Sequence, residues 1–141
     1  MRTTRKAVGA LLVMMLSFGL LHTAQAEEPA AKMPEKYSDA VAAIEHHTEA
    51  IDKAIKDGKL DTLHKHGEEI KMLAQMLPKL AMKDGSGVAA TDVKDINLTS
   101  KKLAATYEPL DEAGDAGKKE ESQKVYGEIV TLVATLKKYV K

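Results

Sequence analysis

Apolar residues at helical spacing, interrupted at three glycine points, constrain this chain more than any other feature. The first run is Tyr37, Val41, Ile44, Thr48, Ile51 and Ile55, a 4-3-4-3-4 spacing that puts all six on one stripe of a helix. It predicts helix 1 from about Pro34, a favourable first helical residue, to Asp57, with Gly58 closing it in the left-handed conformation. Helix 2 is predicted from Leu60 or Asp61, with Leu63, Ile70, Leu73, Leu77 and Leu80 on one face. Pro78 inside that pattern predicts a kink or a short final turn. Asp84-Gly85-Ser86-Gly87 is the second break. Helix 3 is predicted from Ala89 or Asp92 to Ala113, with Val93, Ile96, Leu103, Tyr107 and Leu110 apolar, Asn97 and Ser100 polar on the same stripe, and a second kink at Pro109. Gly114 is expected to close it in the left-handed conformation and Asp115 to N-cap helix 4, which runs to Tyr139 through Val125, Ile129, Leu132 and Leu136. No stretch alternates with a period of two. The expected fold is all-α, an antiparallel up-down-up-down four-helix bundle over residues 34–141.

The start of the chain reads as an export signal over residues 1–26. Arg2, Arg5 and Lys6 form a basic head, Ala7 to Leu21 is an apolar run, and Ala24-Gln25-Ala26 is a cleavage site of small residues. The apolar run is short for a membrane span. The expected location is the periplasm, with residues 27–33 a flexible N-terminus and no membrane association after cleavage. The remaining 115 residues hold 18 Lys and no Arg against 21 Asp and Glu, a formal charge of −3. Without arginine there is no bidentate fork for phosphate or guanine, so nucleic acid is not an expected partner. Without cysteine there is no disulfide, thiolate metal site, iron–sulfur cluster or covalent haem.

Chemistry therefore rests on His46, His47, His64 and His66. At 100° per residue, His46 and His64 point into water, His47 lies on the flank of its stripe, and His66 falls within the stripe between Leu63 and Ile70. Counted back from Gly58, His47 lies about 17 Å and His66 about 12 Å along the bundle, within one turn of each other. A mid-bundle polar layer of His47, Thr48, His66, Ser100, Asn97 and Glu128 follows. One reading makes His66 a packed, hydrogen-bonded core histidine. The other makes His47, His66 and Glu128 the ligands of a divalent ion such as copper, zinc or nickel. The Glu-x-x-His signature of carboxylate di-metal bundles is missing. Asp61 and His64 offer at most a surface site. Met72, Met76, Met33 and Met82 are either gap-fillers or thioethers suited to Cu(I). No Ser/His/Asp constellation, phosphate loop or paired carboxylates speaks for an enzyme.

Two stretches carry a resemblance. They are Gly58-Lys59-Leu60-Asp61-Thr62-Leu63-His64-Lys65-His66, continuing to Ile70, Leu73 and Leu77-Pro78, and Leu110-Asp111-Glu112-Ala113-Gly114-Asp115-Ala116-Gly117. Together they resemble a family of small exported all-helical proteins associated with bacterial heavy-metal efflux genes. Where that family tends to read Ala-Phe-x-Ile-Arg-Asp-Leu, this chain has Gly67-Glu68-Glu69-Ile70-Lys71-Met72-Leu73. The plan is also similar to cytochrome c′/b562 bundles, without a Cys-x-x-Cys-His motif or a histidine on helix 4. The resemblance implies periplasmic metal handling. The alternative is a ligand-free module that docks an envelope protein, as a monomer or homodimer.

Overall fold

The computed structural model describes residues 32–141. The expected export signal and most of the stretch 27–33 lie outside the described residues. Among the described residues five α-helices form: α1 Tyr37–Asp57, α2 Leu63–Ala81, α3 Val93–Ala105, α4 Tyr107–Asp115 and α5 Lys119–Lys137. Single 3₁₀ turns, Leu60–Thr62 and Ala90–Asp92, lead into α2 and α3. With α3 and α4 sharing one rod, four helical rods pack against each other, and there is no strand among the described residues.

The core is built from the predicted stripes. Tyr37, Ile44, Ile51 and Ile55 of α1, Leu63, Ile70 and Leu77 of α2, Ile96 and Leu103 of α3, Leu110 of α4 and Ile129 and Leu136 of α5 are all buried. α1 and α5 are tied at two points. The Tyr37 hydroxyl donates a buried hydrogen bond of 3.0 Å to the Leu136 carbonyl, and Lys137 pairs with Glu45. Burial, with Tyr139 adding to it, pushes the Tyr37 hydroxyl far above its ordinary pKa, so it stays a donor.

Helix ends differ from expectation in instructive ways. α1 begins at Tyr37, not Pro34: Lys36 is extended, and Lys83 beyond α2 donates to the Glu35 carbonyl at 3.2 Å, holding that segment outside the helix. Gly58 takes the left-handed cap as predicted, at φ 72°, with Lys59 N–H bonding the Ala54 carbonyl at 2.9 Å. α2 ends three residues past Pro78, as a short final turn. The predicted helix 3 is split at Thr106, one turn before Pro109. A proline cannot donate to the carbonyl four residues back, and its ring crowds that carbonyl, so the ladder breaks at Ala105. Thr106 repairs the end, its amide and hydroxyl both donating to the Leu103 carbonyl, at 3.1 and 2.7 Å.

The last junction corrects two expectations. Gly114 is inside α4 and buried, while Gly117 is the left-handed residue at φ 66°. Lys118 N–H bonds the Ala113 carbonyl at 2.9 Å across it, repeating the Gly58 cap. Asp115 is the last residue of α4 and not an N-cap; α5 starts at Lys119 without a side-chain cap, and it ends at Lys137. Gly114 serves close packing instead. A Cβ there would lie 2.9 Å from the Leu60 carbonyl oxygen and 3.4 Å from Leu63 Cβ. The two stretches that carry the family resemblance therefore meet in space at this point.

Candidate metal centre

His47 on α1 and His66 on α2 are both half-buried, and their rings come together. The two Nδ1 atoms are 3.2 Å apart and the ring centroids 5.5 Å. The angular and axial reasoning thus pairs the right two histidines. The 3₁₀ turn ahead of α2 rises faster per residue than an α-helix, which carries His66 toward the level of His47.

His66 is less buried than its stripe position suggested. Gly67 takes the inward place, with Leu110 Cδ2 and Tyr107 Cδ2 both 3.2 Å from where its Cβ would be. A glycine adds nothing to a hydrophobic pattern, so the sequence offered no sign of this. His46 is exposed as expected, its ring edge-on to His47 with centroids 5.6 Å apart.

An Nδ1···Nδ1 contact has one proton to share. One ring must be the Nδ1–H tautomer that donates, and the other must accept through its Nδ1 lone pair. Two nitrogens at this separation also suit a metal. Each reaches about 2.0–2.1 Å from a common point, with a bite of roughly 100°, close to tetrahedral. The pair can hold a proton between its rings or an ion in its place.

The other residues of the expected polar layer go elsewhere. Thr48 turns back to its own helix, its hydroxyl donating to the Ile44 carbonyl at 2.7 Å. Ser100 is buried, its Oγ without a hydrogen-bond partner among the described residues, in a cleft shared with Ala74, Pro78 and Asn97. Glu128 is exposed on α5, in a groove against α3 and α4. Among the described residues no three His, Asp or Glu side chains gather around one metal position, so Glu128 is not brought to the histidine pair.

His64 is exposed, as predicted, but it has a partner that sequence reasoning missed. Its Nδ1 lies 2.9 Å from the Asp111 carboxylate and 3.1 Å from the Tyr107 hydroxyl, and its Nε2 is 3.9 Å from Glu68. Lys71 Nζ sits 4.6 Å above the Tyr107 ring. Asp111 belongs to the second resemblance stretch, and only the packing of α4 on α2 shows that it faces the first. The hydrogen bond to Asp111 raises the His64 pKa above its ordinary value; desolvation opposes it, and the charges of Asp111, Glu68 and Asp115 add to it. Protonated His64 is thus favoured in the folded chain. Its contribution to stability is fully present below about pH 6.5 and fades as pH rises through the raised folded value. In an NMR titration of the ring protons, His64 is expected to titrate above the ordinary histidine value, and Asp111→Asn to bring it down. A midpoint at or below that value in the parent chain would contradict the contact.

No helix among the described residues is long and apolar enough to cross a membrane. Comparison of the chain with protein-family models, curated proteins and solved structures gave no match.

Proposed function

We propose that this chain is a metal-handling accessory protein of the bacterial periplasm, exported by residues 1–26 and folded as an up-down-up-down bundle. It binds a divalent copper, zinc or nickel ion through His47 and His66. One observation carries this reading: two imidazole nitrogens from different helices, 3.2 Å apart and half-exposed, with a bite that fits one ion. The resemblance of residues 58–78 and 110–117 to exported proteins of heavy-metal efflux systems supports it. Imidazole suits these three ions, and a two-histidine site leaves coordination positions open, which fits a carrier that must release its metal.

The experiment is calorimetric titration of the full chain, purified without an affinity tag, with Cu(II), Zn(II) and Ni(II). Micromolar or tighter binding is expected for at least one ion. It should be lost in His47→Ala and in His66→Ala and kept in Glu128→Gln, whose side chain lies in another groove. No heat below millimolar metal removes the reading. The alternative, a ligand-free module that docks an envelope protein, would then stand on Met72, 40% exposed on α2.

A further inference from the structure

A groove of about 700 Å³ lies beside the break at Thr106, between α3, α4 and α5. Ala105 and Pro109 face it from one side, Gly127 and Leu132 from the other. Its volume is in the range of small-molecule sites and its walls are mainly apolar, but it is open to solvent along one side, most of its lining residues being exposed. Lys102 of α3 and Lys124 of α5 flank it from opposite sides, and Glu128 also lines it.

Gly127 is the telling residue. It lies inside α5, where glycine is the least favourable residue after proline. It does not have the positive φ of the turn glycines. Packing does not require it either, since a Cβ at that position would meet nothing within 4 Å. Gly67 and Gly114, by contrast, each face neighbours that a Cβ would crowd. What Gly127 provides is the open space of the groove.

We infer that this groove binds a single-chain amphiphile with an anionic head, in its simplest form an alkyl carboxylate. The apolar walls take the chain, which is driven in by burial of its methylenes. The head lies between the ammonium groups of Lys102 and Lys124, which outnumber the one carboxylate, Glu128. This site is separate from the histidine pair and does not depend on metal binding.

The test is an NMR titration of the full chain with dodecanoate, dodecyltrimethylammonium and acetate, each kept below micelle-forming concentration. Dodecanoate is expected to shift the amides of Ala105, Thr106 and Gly127 and to saturate at one molecule per chain. The cation of equal chain length and the bare head group should bind weaker by about tenfold or more. Gly127→Leu, whose Cβ meets nothing within 4 Å and whose side chain would enter the groove, should remove dodecanoate binding without lowering Tm. Lys102→Gln with Lys124→Gln should abolish the preference for the anion while leaving Tm unchanged. The inference is overturned if dodecanoate leaves these amides unmoved, if the cation or acetate binds as well as dodecanoate, or if Gly127→Leu binds like the parent chain.

Discussion

Leu63→Ala is expected to destabilise the folded chain by about 2–5 kcal/mol, the cost of emptying a fully buried leucine site. Leu63 is wholly inaccessible to solvent, as the first residue of α2. It packs on Gly114 of α4 and so joins the two halves of the chain. The loss has two parts, the apolar surface no longer removed from water and the cavity left where neighbours do not collapse. Collapse is restricted here because the 3₁₀ turn Leu60–Thr62 and α4 approach through backbone, which cannot fill a side-chain void. At about 4 °C per kcal/mol for a domain near this size, Tm should fall by roughly 8–20 °C. Denaturant unfolding checks it directly: a loss under about 1 kcal/mol would mean that the site is not close-packed.

Gly114→Ala sets two known effects against each other. Alanine inside a helix is favoured over glycine by about 1 kcal/mol. The new Cβ, however, would sit 2.9 Å from the Leu60 carbonyl oxygen, closer than real contacts allow. That oxygen is main chain, so relief requires moving the turn away from α4 and not merely rotating a side chain. Overpacking of this kind costs about 1–3 kcal/mol, and here it outweighs the propensity gain, so the variant should be less stable than the parent. Combining it with Leu63→Ala distinguishes the obstacle. Truncating Leu63 to alanine keeps its Cβ at 3.4 Å, removes only the Cδ1 contact at 3.5 Å, and leaves the carbonyl in place. The double variant should therefore remain worse than Leu63→Ala alone. If the second substitution rescued the first, the clash would lie with the leucine side chain and not with the turn.

The candidate site was legible in part, and the division has a physical basis. A helix has a fixed pitch, so residue number converts to angle and height. That conversion put His47 on a flank and placed His47 and His66 at neighbouring levels, and the two rings do meet. It failed where a third helix was involved. Glu128 is expected in the same polar layer, whereas it is exposed in the groove that α5 forms with α3 and α4. Height along a bundle does not fix which way a helix turns its faces, and the face that α5 buries is that of Ile129, Val133 and Leu136. His64 shows the same limit. Its exposure followed from its angle on α2, but Asp111 lies 47 residues later, and no local rule connects them.

The sequence by itself determined the helices, their buried stripes and the left-handed cap at Gly58, because each depends on interactions within a few residues of the chain. Tertiary structure alone decided which glycine turns and which one packs, that Gly67 and not His66 faces inward, and where Ser100, Glu128 and His64 find their surroundings. These depend on what the neighbouring helix presents at one spot. A glycine that permits close approach and a carboxylate that anchors a distant histidine leave no periodic mark in the chain.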